Sequence, residues 1–187
     1  NVMDDDLLSA ASGQGAYLND VRIPRLESTT VEKSIIGVNA SWVVPNRMVH
    51  HDGMLELVQT SRGTRSFGSA AIEIAYVATG RLDAYLSMRL SPWDIAGGMV
   101  IANEVGAVIT NLSTEPINLL KQNSFIVSKP NLHEQLLSKY IISFFNGFVL
   151  CIMHKYYLLI LSINCINIKV LISLISIEVL FIKLFIL

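Results

Sequence analysis

Residues 69–107 read SAAIEIAYVATGRLDAYLSMRLSPWDIAGGMVIANEVGA, and three spacings follow one another along them. Ser69 precedes an alanine-rich run that predicts a helix, with Gly80 placed to close it in the left-handed conformation. Residues 81–89 then alternate. Leu82, Ala84, Leu86 and Met88 fall on one side and Asp83, Tyr85, Ser87 and Arg89 on the other, which is the period of a strand. Ser91 and Pro92 open a second helix, expected to reach about Val105, with Gly106 ending it. A helix, strand and helix in succession favour an α/β fold: a mixed sheet covered by helices. Gly97 and Gly98 sit awkwardly in this reading, because a glycine inside a helix costs about 1 kcal/mol relative to alanine.

Outward from this stretch the alternation continues. LLSAASGQGAYLNDVRI carries turn signals at Gly13-Gln14-Gly15 and at Asn19-Asp20, and predicts a small antiparallel meander. A strand is expected at Ser34–Ala40, rich in β-branched and small residues. A short helix follows at roughly Gly53–Thr60, then a short strand or turn in TRSFG. AVITNL and SFIVSK read as strands. PNLHEQLLSKYI reads as a final amphipathic helix with Pro130 at its start and His133 on its exposed face. No internal repeat is present.

Composition narrows the function classes. Fourteen Lys and Arg against 15 Asp and Glu give a net charge of -1, which lacks the basic excess of a nucleic-acid footprint. Mean hydropathy is +0.50, and the apolar excess is concentrated in residues 141–187. That segment holds one glycine, no proline and no alanine. A membrane span needs about 18 or more apolar residues in a row. Here His154, Lys155, Lys169, Glu178 and Lys183 interrupt, each costly near a bilayer centre. Ile, Leu, Phe, Asn, Lys and Tyr are favoured by AT-rich codons, so a frameshift or read-through past Tyr140 is the preferred account of this tail. Both cysteines, Cys151 and Cys165, lie there. Residues 1–140 have none, which suits a reducing cytoplasm.

Asp94 admits two readings. In one, Ser91, Pro92 and Asp94 only close a helix end, the acid replying to the backbone N–H of the cap. In the other, a carboxylate at a helix entrance faces a cation, and the small residues one turn later leave room for a ligand. Magnesium takes oxygen ligands, and phosphates favour helix N-termini, so the second reading describes a metal-assisted phosphatase. His50 and His51 lack a third ligand at suitable spacing. Asp4, Asp5 and Asp6 read as a solvated turn or cap, Asp83 as structural, and Arg62 and Arg65 flank a glycine.

PWDIAGG resembles the second signature, W-D-x-A-[GA], of the inositol monophosphatase family. GQGAYLNDVRI is similar to that family's G-x-G-A-x-x-N-G hairpin, with Asp20 where glycine is usual. RSFGSAAIEIAYVATGRLDAYLSMR resembles its R-x-x-G-[ST]-A-A…A-x-G-x-x-D-A-Y segment, and NEVGAVITNL its E-A-G-G-x-[VL] strand entry. Order and spacing agree from about Val2 to Tyr140, in the manner of bacterial members.

The resemblance implies part of a layered α-β-α-β-α sandwich, the inositol monophosphatase/fructose bisphosphatase-like fold, in residues 1–140. It implies a Mg2+-dependent phosphomonoesterase acting on a small phosphorylated metabolite such as inositol monophosphate. NADP, bisphosphate nucleotides and fructose bisphosphate are the alternatives within the superfamily. Carried over, Asp94 is a metal ligand with Trp93 packed beside it. Gly68, Ser69 and Ala70 line the substrate pocket, and Arg65 pairs with a carboxylate. Ser87 stands where inositol-specific members carry a glutamate, with Arg89 two residues on, free to meet a second phosphate. The family's first signature, D-P-[IL]-D-G-[ST], and its upstream glutamate are absent from this sequence. The expectation is therefore the carboxy-terminal portion of such an enzyme, inactive alone and cytoplasmic. A homodimer remains open, no nucleic acid is expected, and a membrane is a partner only if residues 141–187 are a genuine element.

Overall fold

A computed structural model describes residues 1, 3–39 and 51–141. Among them are two sheets. The smaller is the expected meander: β1 (Leu8–Ala11), β2 (Gly15–Leu18) and β3 (Val21–Arg22), antiparallel in that order. Asn19 and Asp20 turn β2 into β3 with φ of 48° and 65°, as the mirror-image hairpin turns require.

The larger sheet has five strands in the order β5-β4-β6-β8-β7. These are β4 (Ile35–Val38), β5 (Gly63–Arg65), β6 (Ala84–Leu90), β7 (Val108–Thr110) and β8 (Asn123–Ser128). β5, β4 and β6 run parallel, while β8 is antiparallel to both β6 and β7. The helices are α1 (His51–Thr60), α2 (Ala70–Ala78), α3 (Pro92–Glu104) and α4 (Leu132–Gln135). From β4 the chain passes through α1 to β5, then through α2 to β6 on the other side of β4. Right-handed crossovers running in opposite directions put their helices on opposite faces.

The core follows that rule. Ala84, Leu86 and Met88 of β6 pack with Met54 and Leu57 of α1 and Leu132 of α4. On the other face Tyr85 packs with Ile74 and Val77 of α2 and with Ile95 and Ala102 of α3. A third cluster, Ala16 with Ala78 and Val105, joins the α2–α3 layer to the meander. The described residues thus stack helix, sheet, helix, sheet, which accounts for four of the five expected layers.

The alternation in β6 marks a strand, as expected, and two expectations about the last helix are corrected. Tyr85 and Ser87 are 6% and 5% exposed, because helices cover both sides of a central strand. The last helix starts at Leu132 rather than Pro130, since Asn131 sits in the left-handed region at φ 63°. It continues as a π-helical segment, Leu136–Ile141. His133 is buried, not exposed. Its Nε2 and Nδ1 lie 3.0 Å from the hydroxyls of Thr110 and Ser128. Thr110 spends its own proton on the Asn111 carbonyl at 2.7 Å, so Nε2 carries the hydrogen and Ser128 donates to Nδ1. Burial holds the imidazole below its ordinary pKa. His50 and the tail after Ile141 lie outside the described residues, as does the side chain of His51. No helix among the described residues is long and apolar enough to cross a membrane.

Asp83 is structural, as expected. Its carboxylate accepts the Ile35 N–H at 2.7 Å and pairs with Lys129 at 2.7 Å, locking the starts of β4, β6 and the end of β8. Asp6 anchors the amino-terminal turn to Arg81 at 2.6 Å. Glu104 clamps the meander, accepting the N–H groups of Gly13 and Gly15 at 2.7 Å each.

The two glycines of α3 have different causes. A Cβ on Gly98 would stand 2.7 Å from Cγ2 of the buried Ile74, so this glycine sets how closely α3 approaches α2. A Cβ on Gly97 would meet nothing within 4 Å. Gly97→Ala is expected to raise stability by about 1 kcal/mol. Gly98→Val is expected to lower it by about 1–3 kcal/mol through overpacking. Urea unfolding of the two variants checks the opposite signs.

The Gly13 and Gly15 amides hold the Glu104 carboxyl below its ordinary range. A carboxyl with a lowered folded pKa contributes stability above its unfolded pKa and loses it as pH falls through the folded one. Hydrogen-exchange protection at Gly13 and Gly15 is therefore expected near neutral pH and lost at pH below the ordinary glutamate range. Glu104→Ala should show the loss already at neutral pH.

Candidate active site

Because β5, β4 and β6 are parallel, their carboxyl ends share one edge of the sheet. Chain leaving β5 enters α2, and chain leaving β6 enters α3. Both helix N-termini therefore stand at that edge, where open α/β sheets bind ligands.

At the first, Gly68 turns the chain with φ +73°, a conformation that suits a residue without Cβ. Ser69 holds the N-cap position of α2, but its side chain makes no capping hydrogen bond. The expected Ser69 cap is thus present in backbone and absent in side chain. The first amides of α2, from Ala70 onward, have no acceptor within the helix, as at any helix start. Glu73 instead shapes this corner. Its Oε1 accepts the Phe67 N–H at 2.6 Å, and the Gly68 N–H supports it as well. Only 3% exposed, its carboxyl is pushed above the ordinary range by burial, with those two amides opposing.

At the second, Asp94 is the third residue of α3. Its Oδ2 accepts the Ser91 N–H at 2.9 Å, the reply of a capping box. Ser91 is further held by Gln122, whose Nε2 donates to its hydroxyl at 3.2 Å. Trp93 does not pack beside Asp94. It is 82% exposed, because Ile95 is the residue of this turn that enters the core.

Tyr85 lies between the two corners. Its phenol is pushed up to about 12, by burial first and then by the Glu73 charge, with Asp94 adding and the Ser87 hydroxyl opposing as a hydrogen-bond partner. One neutral phenol thus senses both carboxylates, so Glu73, Tyr85, Ser87 and Asp94 form a single neighbourhood. Arg89 is exposed near the end of β6. Arg65 is not ion-paired with any described residue. Its Nη1 donates to the Thr64 carbonyl at 2.8 Å. Of the sequence-derived site residues, Gly68, Ser69, Ala70, Ser87, Arg89 and Asp94 all belong to this edge of the sheet. Glu73 and Tyr85 were missed. The available signal was an acid among the apolar residues of AAIEIAYVA.

A divalent ion is not held by these residues alone. No group of three or more His, Cys, Asp or Glu converges among the described residues, and Asp94 has one oxygen already engaged. Magnesium wants near-octahedral oxygen coordination, usually with more than one carboxylate or a phosphate. The donor set therefore does not amount to a magnesium site.

Residues 1–141 match the model of the inositol monophosphatase family. The chain belongs to that family. It is 43% identical over 141 residues to the inositol-1-monophosphatase of Bacillus subtilis (strain 168), which is 75% of this chain and 53% of that protein. The fructose-1,6-bisphosphatase/inositol-1-monophosphatase of Thermotoga maritima is 32% identical over 133 residues, 71% of this chain and 49% of that one. The crystal structure of inositol monophosphatase-II from Staphylococcus aureus MSSA476 superposes with a TM-score of 0.73 at 37% identity, over 80% of this chain and 56% of that chain. The chain spans about half the length of the curated relatives it matches.

The buried Glu73 gives this inositol monophosphatase-family chain a pH signature. A raised carboxyl pKa means that the folded state holds the proton more tightly than the unfolded one. Its cost is fully present above the folded pKa and disappears as pH falls through the ordinary glutamate range. Glu73→Gln keeps an oxygen for the Phe67 N–H and removes the charge. It should be more stable than the parent at neutral pH, with the difference closing on acidification. Denaturant midpoints measured across pH read this directly.

Proposed function

We propose that residues 1–141 form the substrate-side half of a Mg2+-dependent phosphomonoesterase, and that this polypeptide alone does not turn over. The observation that supports the reading most is the convergence of two helix N-termini at one sheet edge. One offers the first-turn amides of α2 and the Ser69 hydroxyl, which makes no capping bond, and the other offers Asp94. Such amides suit the hydroxyl or phosphate oxygens of a small ester. Asp94 supplies one carboxylate oxygen toward a cation that further carboxylates would have to complete. The buried, neutral Tyr85 and Ser87 close the inner side of the site to water.

The substrate is a small phosphorylated metabolite. Staphylococcal SaIMPase-II has been crystallised with 2′AMP and with inositol monophosphate, which keeps sugar-alcohol and nucleotide monoesters in view. A cytoplasmic setting accords with the absence of cysteine from residues 1–140.

Two readings of Asp94 separate cleanly. Asparagine still offers an oxygen to the Ser91 N–H, so a pure cap tolerates Asp94→Asn. A cation ligand does not. The test joins residues 1–141 behind the amino-terminal half of the Bacillus subtilis relative and measures phosphate release with Mg2+. Asp94→Asn is expected to lower kcat/KM by about a hundredfold or more, several kcal/mol of transition-state stabilisation, with an unchanged unfolding midpoint. Activity within a few-fold of the parent would reduce Asp94 to a cap. Phosphate release by the unjoined 187-residue chain would overturn the claim that it is inactive alone.

A further inference from the structure

Strand β6 does not run evenly into α3. Its register with β8 pairs Ser87 with Phe125 and Leu90 with Asn123, so Met88 and Arg89 together stand opposite the single residue Ser124. An extra residue of this kind bends its strand and re-aims a side chain, often next to an active site. Met88 is 2% exposed and belongs to the core, so the outward member of the pair is Arg89.

Arg65, at the end of β5, spends one guanidinium nitrogen on the Thr64 carbonyl, and cations farther from this edge are committed to carboxylates. Arg81 pairs with Asp6 and lies over the Tyr76 ring, Lys129 pairs with Asp83, and Lys139 pairs with Glu56. Arg89 makes no ion pair or hydrogen bond through its side chain with any described residue. It sits two positions beyond the buried Ser87 and two before Ser91, the cap of the helix that carries Asp94.

We infer that Arg89 is a specificity-determining residue at the rim of the site, reading a second phosphate on the substrate rather than the phosphate to be cleaved. The inference rests on the reading of the site given above. A guanidinium presents a planar fork that meets a phosphate through two parallel N–H···O bonds. An exposed arginine without a carboxylate partner keeps that fork free. Ser87, two positions before it, is neutral and buried, so it does not compete for the guanidinium.

The test uses the whole 187-residue chain and two probes with one skeleton, fructose 1,6-bisphosphate and fructose 6-phosphate. Backbone amides and arginine Nε–H resonances are followed by NMR, with Arg89 assigned through Arg89→Lys. The bisphosphate should bind about tenfold more tightly, the equivalent of about 1.4 kcal/mol, and only it should shift the Arg89 Nε. Arg89→Gln should bring the bisphosphate down to the affinity of the monophosphate, and Arg89→Lys should retain part of the preference. Movement of the Ser69 and Ala70 amides with both sugars, without a preference or with one that survives Arg89→Gln, overturns this inference and leaves the site reading standing. A shift at Arg89 with those amides unmoved overturns the site reading and the rim role with it. No saturable shift at any resonance overturns both.

Discussion

Helices α2 and α3 meet where Gly98 lies against the side chain of Ile74. Everything at the candidate site depends on that approach. The pair forms the layer between the two sheets, with Tyr85 on one side and the meander on the other. A side chain at Gly98 would move the axes apart. The N-termini would move with them, because each helix is fixed at its start by its own local bonds: Glu73 to Phe67 in one, Asp94 to Ser91 in the other. An interior glycine gives up about 1 kcal/mol of helix propensity, and what it returns is position.

Much of this was legible in the sequence, wherever the signal is local. The alternation of residues 82–89 marks β6, and Ser-Pro-Trp-Asp marks the start of α3, because periods and caps depend on neighbours a few residues away. Asp83 at a strand start was read correctly as structural. Gly98 was recognised as needing a reason, though not which one. Its partner Ile74 is 24 positions back, and no period connects them.

What remained hidden is what distance in the chain hides. Glu104 reaches 91 and 89 residues back to Gly13 and Gly15. In sequence it looks like an exposed acid near a helix end. His133 is buried by Thr110 and Ser128, which lie on two different strands. An amphipathic pattern cannot say that a polar residue will find hydroxyls inside. Trp93 erred the other way. The family resemblance implied packing beside Asp94, but its place in the first turn of α3 turns it to solvent while Ile95 fills the core.

The electrostatics of the edge carry a further consequence. Two carboxylates act on the same buried phenol, and both raise it. Glu73 lies inside, its charge disfavoured by burial and eased by two amides. Asp94 lies at the mouth with one oxygen spoken for. A phosphate approaching this edge meets negative charge on the α3 side and the positive end of a helix on the α2 side. A helix end is worth only a fraction of an elementary charge, so the amides of α2 alone do not balance a phosphate dianion beside Asp94. Either a cation must stand between Asp94 and the phosphate, or the phosphate must sit toward α2 and leave Asp94 unused. The described residues hold too few carboxylates to retain that cation by themselves. On the function proposed above, Asp94 is therefore used only with a cation in place, and a phosphate that meets residues 1–141 without one sits toward the amides of α2.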